Sequence, residues 1–228
     1  MVTAILVAAG VGKRFGPNTD KLFLEVSGRP VVGHTWARFD GMAEIDEVIL
    51  VVRAGMEAAF EEIAATLSLG KPWRLVAGGA ERQDSVWNGL QAVGAECELV
   101  AIQDGARPCT SPEVVRATLD AARESGAAVA AQRVTDTIKQ STDGQWIERT
   151  VDRSVLWSVQ TPQSFRKEVI LKALGEVRRR GAAVTDDTAA CELIGQRVRL
   201  VESRLPNPKV TYPGDLPWIE VVLGREVR

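Results

Sequence analysis

Short apolar runs that end at turn residues alternate along this chain with longer segments of helical period, and that alternation restricts the fold more than any other feature. Residues 4–9, 48–52, 73–77, 99–103, 127–131 and 198–201 are too short for buried helices and too continuously apolar for strands with one wet face. They predict strands buried on both faces. Between them, residues 31–39, 56–67, 82–93 and 112–124 carry helical spacing. Thr110-Ser111-Pro112-Glu113 supplies a helix start, because a hydroxyl caps free N–H groups and proline tolerates the first turn. Thr185-Asp186-Asp187 opens another helix with acids at its positive end. The alternation predicts an α/β fold, a mostly parallel sheet with helices on both faces.

Residues 133–154 break the rhythm. Thr135-Asp136-Thr137-Ile138-Lys139, a turn at Ser141-Thr142-Asp143-Gly144, and Trp146-Ile147-Glu148-Arg149-Thr150-Val151 predict two β-rich limbs around a polar turn. The parallel sheet has no place for them. An isolated hairpin is marginal in water, so this protruding β-arm is expected to pack on something, a second subunit included.

Composition removes whole classes of function. The 228 residues are 45% hydrophobic and 25% charged, enough for a sizeable core, and no linker divides them, so one domain over 1–228 is expected. With 28 basic against 30 acidic side chains, well interspersed, bulk binding to nucleic acid or an anionic membrane is disfavoured. His34 is the only histidine, so no multi-histidine metal site can be built and a Ser-His-Asp triad would rest on this one residue. Cys97, Cys109 and Cys191 are odd in number and far apart, which argues for a reducing cytoplasm rather than a disulfide scaffold. No run reaches the ~18 apolar residues of a membrane span, and no basic segment precedes the first apolar run as in a signal peptide.

The first predicted strand runs into Ala8-Ala9-Gly10-Val11-Gly12-Lys13-Arg14-Phe15-Gly16, with Lys21 shortly after. Small residues there let backbone N–H groups approach a ligand at a strand's C-terminal end. The dinucleotide fingerprint fails because Phe15 stands at the third glycine, and the phosphate-loop pattern fails at Val7 and Arg14. A glycine-rich turn carrying Lys13, Arg14 and Lys21 remains; by itself it either binds phosphate or merely turns the chain. Asp104 ends another strand and opens Asp104-Gly105-Ala106-Arg107-Pro108, as a turn residue or as a ligand to magnesium or substrate. Gly78-Gly79-Ala80-Glu81-Arg82-Gln83-Asp84-Ser85 follows a third strand and either lets a base approach the backbone or simply turns into the next helix.

In order, these fragments resemble the 2-C-methyl-D-erythritol 4-phosphate cytidylyltransferase family of the non-mevalonate isoprenoid pathway. The resemblance runs through Gly28-x-Pro30 with His34-Thr35, Asp136-Thr137, Val151-Asp152-Arg153, Thr161-Pro162-Gln163, Thr185-Asp186-Asp187 and Lys209-Val210-Thr211 as well. It implies a Rossmann-like α/β fold and cytidylyl transfer from CTP to methylerythritol phosphate with Mg²⁺ or another divalent cation. It further implies a homodimer through the 133–154 arm. Arg14, Lys21, Arg153 and Lys209 take catalytic roles by this resemblance. Ala8, Ala9, Gly10, Gly12, Gly79 and Ser85 hold the nucleotide, and Asp104 serves the metal and the acceptor. Arg107, Thr137 and Thr161 bind the methylerythritol phosphate with Lys209 and Arg153, the last from a neighbouring subunit. The chain departs from the family's usual pattern at Val7, Asp20 and Ala80.

The chemistry is consistent with a chain poor in histidine. A phosphate monoester has its second pKa near ~6, so the attacking oxygen is already anionic at neutral pH and needs no side-chain base. The difficulty is bringing that anion to the anionic α-phosphate, which fixed cations resolve. The rival functions are ribitol 5-phosphate cytidylyltransfer, an inactive nucleotide-binding module and a nicotinamide oxidoreductase. The module is disfavoured by the intact cations and the oxidoreductase by the missing third glycine. Some family members carry a following cyclodiphosphate synthase domain; this chain lacks the histidines that domain's zinc site needs, which predicts a monofunctional enzyme.

Overall fold

The computed structural model describes residues 1–10, 12, 15 and 20–225. β1 (Val2–Ala8) leads to a short ladder of β2 (Glu25–Val26) with β3 (Arg29–Pro30), then α1 (Val31–Asp40), β4 (Glu47–Val52), α2 (Glu57–Thr66) and β5 (Trp73–Ala77). α3 (Arg82–Gln91), β6 (Leu99–Asp104), α4 (Pro112–Ser125) and β7 (Ala127–Arg133) follow. A second short ladder, β8 (Lys139–Gln140) with β9 (Arg149–Thr150), precedes β10 (Trp157–Arg166), α5 (Lys167–Arg180), α6 (Asp187–Leu193), β11 (Arg199–Glu202) and α7 (Leu216–Arg225). Seven strands form one sheet in the order β11-β7-β10-β6-β1-β4-β5. β10 is antiparallel to both neighbours and the other pairings are parallel.

Strand side chains alternate between faces, and here both faces are covered. Ala4, Leu6 and Ala8 of β1 pack with Trp36 and Phe39 of α1 and Phe60 of α2. Ile5, one residue out of phase, packs on the opposite face with Leu90 of α3 and Ile170 and Leu174 of α5. Ile5 is fully buried, and its truncation to alanine would cost about 2–5 kcal/mol. The helix signals act where the sequence places them. Ser111 Oγ accepts from the Val114 N–H at 3.3 Å with Pro112 in the first turn, and Gly126 ends α4 at φ +88°. Asp186 caps α6 by accepting from the Ala189 N–H at 2.9 Å.

Two predicted strands need correction. Trp73–Ala77 and the strand near residues 198–201 are not buried on both faces; they are the sheet's edges, half-buried or exposed along their length. Trp157–Arg166 departs further, since its sequence carries no strand signal: Pro162 interrupts a run rich in Ser, Thr and Gln. It nevertheless forms a ten-residue strand, because a register shift between Val159 and Gln163 takes Pro162 out of the ladder. Its buried polar side chains find partners, as where Ser164 Oγ donates to Thr118 Oγ1 at 2.9 Å.

The 133–154 segment leaves the sheet as expected, with a shorter ladder. Only Lys139–Gln140 and Arg149–Thr150 pair. Asp143 Oδ1 organises the turn by accepting from the N–H groups of Gln145 at 2.8 Å and Trp146 at 3.0 Å. Trp146 (76% exposed) and Ile147 (66%) therefore project from the arm uncovered by their own chain. The three cysteines form no disulfide and are buried, and burial pushes the Cys191 thiol up to about 12, unfit for a nucleophile. Among the described residues, no helix is long and apolar enough to cross a membrane.

Candidate active site

A cleft of about 430 Å³ opens at the C-terminal ends of the parallel strands. Ala9 and Gly10 reach it from the end of β1, Gly79 and Arg82 from the β5–α3 turn, Asp104 from the end of β6, and Lys21 and Lys209 from irregular segments. A cavity of about 500 Å³ lies at the opposite end of the sheet, against Cys97, Leu99 and Arg166, away from every glycine-rich turn.

The cleft depends on close backbone approach. A Cβ on Gly78 would lie 2.5 Å from Ala9 Cβ, and one on Gly79 would lie 2.3 Å from Asp84 Cβ. A side chain at Gly78 would force the β1 and β5 turns apart, and one at Gly79 would push that turn off the start of α3. Ser85 Oγ holds this turn: it accepts from the Gly79 N–H and donates to the Glu81 carbonyl, both at 3.1 Å.

Asp104 is the electrostatic centre. Lys209 Nζ lies 2.8 Å from its Oδ2, Arg107 Nε 3.4 Å from the same oxygen, and Arg82 Nε 3.5 Å from Oδ1. Burial by itself would raise the Asp104 carboxyl; Lys209, Arg82 and Arg107 override it and hold the group well below the usual carboxylate range. Arg82 also binds Asp187, Nη1 to Oδ2 at 2.8 Å. Burial opposes the charge on Arg82, but Asp187 and Asp104 raise its pKa further. Asp187 is wholly buried, its second oxygen has no hydrogen-bond partner, and burial pushes its carboxyl upward.

Several expected site residues converge here. Ala9, Gly10, Lys21, Gly79, Ser85, Asp104 and Lys209 share the cleft. Arg107 and Thr161 stand directly beside Asp104: Thr161 Oγ1 accepts from the Asp104 N–H at 3.1 Å, and Arg107 Nη1 donates to the Asn207 carbonyl at 2.7 Å. Ala8 is buried beneath the cleft, and Gly12 at φ +60° lies against the Lys21 stem. Arg14 lies outside the described residues. Thr137 and Arg153 are not brought to their own chain's cleft. Both sit exposed on the arm, where the Arg153 guanidinium donates to the Thr135 carbonyl.

Sequence reasoning gave no role to Asn207 or Arg53, and read Asp187 as a helix-opening acid rather than as the partner of Arg82. Asn207 ties three segments together, its Nδ2 donating to the Thr161 carbonyl at 2.8 Å and its Oδ1 accepting from Thr110 Oγ1 at 2.9 Å. No local pattern could reveal that. Arg53 had a usable signal, because it directly follows a strand that ends at the ligand side of the sheet. His34 is remote from the chemistry: its Nε2 bonds the Val26 carbonyl at 2.6 Å and joins α1 to the β2–β3 turn.

The chemistry of the donor set fits a divalent ion only in part from protein. Among the described residues, no three carboxylate, cysteine or histidine side chains cluster. Asp104 supplies one hard anionic oxygen, which suits Mg²⁺ that takes its remaining ligands from substrate phosphates and water.

The sequence profile of the family described as IspD, 2-C-methyl-D-erythritol 4-phosphate cytidylyltransferase, matches residues 2–225. The 2-C-methyl-D-erythritol 4-phosphate cytidylyltransferase of Alkaliphilus oremlandii is 40% identical over 222 residues, covering 97% of this chain and 94% of the relative. The enzyme of the same name from Geobacillus thermodenitrificans is 41% identical over 224 residues, covering 98% and 97%. Among solved structures, the 4-diphosphocytidyl-2C-methyl-D-erythritol synthase of Anaerococcus prevotii superposes with a TM-score of 0.86 at 31% identity, covering 98% of this chain and 96% of that one.

Proposed function

The chain belongs to the 2-C-methyl-D-erythritol 4-phosphate cytidylyltransferase family, and from that premise we propose how its own residues perform the transfer. It is a nucleotidyltransferase that moves the cytidylyl group of CTP onto 2-C-methyl-D-erythritol 4-phosphate, giving 4-diphosphocytidyl-2-C-methyl-D-erythritol and pyrophosphate in isoprenoid precursor synthesis. A phosphate oxygen of the acceptor attacks the α-phosphorus, and the bond from that phosphorus to the bridging oxygen of the β-phosphate breaks.

The observation that carries the assignment of roles is the cation cluster around Asp104. Lys209 and Lys21 come from distant parts of the chain to one wall of the cleft: Lys21 Nζ donates to the carbonyl of Val210, the neighbour of Lys209, at 2.6 Å. Charge accumulates on the α-phosphate as the oxygens exchange, and fixed ammonium groups stabilise it with no reorganisation. Lys21, with Arg14, serves the triphosphate. Lys209 and Arg107, held on Asp104, present positive charge to the acceptor's phosphate, and Thr161 supports the Asp104 backbone. Ala8, Ala9, Gly10 and Gly12 let the triphosphate approach the β1 turn, and Gly79 and Ser85 receive the base. Asp104 would hold a bound Mg²⁺ together with the substrate phosphates, and the ion would supply charge neutralisation.

The reading treats 1–228 as one catalytic unit working as a homodimer. Arg153 and Thr137 enter the partner's cleft, and the exposed Trp146 and Ile147 of the arm support this by needing a cover. Pyrophosphate release from CTP, followed with methylerythritol 4-phosphate and with ribitol 5-phosphate in the presence and absence of EDTA, tests the assignment. We expect kcat/KM to favour the methylerythritol phosphate and activity to vanish with chelator. Preference for ribitol 5-phosphate would transfer the reaction to the other polyol phosphate.

A further inference from the structure

Lys21 is assigned to the transferring phosphate, yet it stands on a turn before β2 rather than within a helix or strand. A flexible four-carbon stem on a loose turn would forfeit much of its effect, because a misplacement of about 1 Å costs on the order of 10²-fold in rate. The side after Lys21 is held by the buried Leu22, whose carbonyl accepts from the Val32 N–H of α1 at 3.1 Å, and the side before it needs a hold of its own.

Asp20 supplies it from the preceding position. Its Oδ1 accepts from the Leu22 N–H at 3.1 Å and its carbonyl accepts from the Phe23 N–H at 3.1 Å, which closes the turn locally. Its Oδ2 accepts from Arg53 Nη2 at 3.1 Å, which ties the turn to a distant element. That element is rigid. Arg53 directly follows Val52, which is fully buried at the end of a strand held between β1 and β5, and the Val52 carbonyl accepts from the Gly78 N–H at 2.7 Å. Arg53 also lines the same cleft as Lys21.

We propose that the Asp20–Arg53 ion pair is a positioning device for Lys21, bolting the turn that carries the catalytic ammonium to the C-terminal end of β4. Both residues act through Lys21, so the inference rests on the role given to Lys21 above. The pair is partly solvated, with side chains 35% and 20% exposed, so it adds little to global stability and its loss registers in turnover. A direct role for Arg53 on the triphosphate makes the opposite prediction. Asp20→Asn would then release a guanidinium into the cleft and tighten CTP binding, while Arg53→Ala would weaken it.

The test compares kcat, KM for CTP and melting temperature in Asp20→Asn, Arg53→Ala, Arg53→Lys, the Asp20→Asn/Arg53→Ala double variant and Lys21→Ala. We expect each of the first two to lower kcat about tenfold with KM for CTP within about twofold of wild type. The double variant should be no slower than the slower single, Arg53→Lys should recover part of the loss, and Asp20→Asn should cost nothing further in a Lys21→Ala background. Multiplicative losses, or opposite shifts in KM for CTP, would overturn the proposal. Wild-type kcat in the single variants beside an impaired Lys21→Ala would overturn the pair's role alone. A fully active Lys21→Ala would instead overturn the role of Lys21.

Discussion

Lys209 Nζ lies 2.8 Å from Asp104 Oδ2, on a carboxylate that Arg82 and Arg107 also face. One buried anion thus collects three cations, a surplus of positive charge suited to a pair of phosphate substrates. Lys209→Met keeps the aliphatic stem and removes the charge. We expect kcat/KM to fall by about 10²–10³ with the far-ultraviolet circular dichroism unchanged. A loss confined to KM for the acceptor would assign Lys209 to ground-state binding.

The Asp104 carboxyl titrates below its ordinary value of about 3.8 in the folded protein. Protonating it is therefore harder folded than unfolded, so its contribution to stability is complete above that value and disappears as pH falls through the lower, folded value. Melting curves of wild type and Asp104→Asn between pH 6 and pH 3 check this. Wild type should lose melting temperature more steeply than the variant at the acid end, and parallel curves would contradict the cation cluster's hold on Asp104.

Arg82, whose side chain is 29% exposed, pairs at 2.8 Å with Asp187, which is inaccessible to water. Asp187→Ala leaves the Arg82 charge without its main, buried counter-ion, which costs about 3 kcal/mol at the lower end for such pairs. In a chain of this size the melting temperature should drop by roughly 6–12 °C. A smaller drop for Asp187→Asn would show that hydrogen bonding carries part of the effect.

His34, the one histidine of the sequence, does not line the cleft. His34 is partly buried, which lowers its pKa against the opposing pull of its bond to Val26. The acid limb of kcat/KM against pH should therefore follow the acceptor's phosphate, near ~6, and His34→Asn should leave that limb in place. A shift of the limb in this variant would implicate the imidazole.

Shared active sites are tested by co-expressing Lys21→Ala with Arg153→Ala. Under the proposed sharing, the Arg153→Ala chain of a mixed dimer keeps its own Lys21 and receives Arg153 from its partner, so one of the two sites is whole. Random pairing makes about half the dimers mixed, and about a quarter of all sites active. Mixed dimers as inactive as either parent would place Arg153 within its own chain. Trp146→Ser with Ile147→Ser should shift the protein toward monomer on sedimentation, since those side chains are uncovered in the single chain.

The sequence by itself determined what local chemistry can determine. Ala4 to Ala8 and Val48 to Val52 are apolar at every position, and only a strand covered on both faces accommodates that. Ser111-Pro112 and Asp186 start helices because caps act over three residues, and glycines at Gly78 and Gly79 announce a close approach. The tertiary structure decided the rest, because the deciding partners lie far apart in the chain. Arg82 meets Asp187 across 105 residues and Lys21 meets Val210 across 189, and no spacing rule reaches that far. β10 became a strand because neighbours on both sides accepted its polar side chains and let Pro162 stand outside the ladder. Arg53 entered the cleft only because the sheet order puts β4 beside β1. Local preference acts along the chain, whereas the charges that line the cleft are assembled across it.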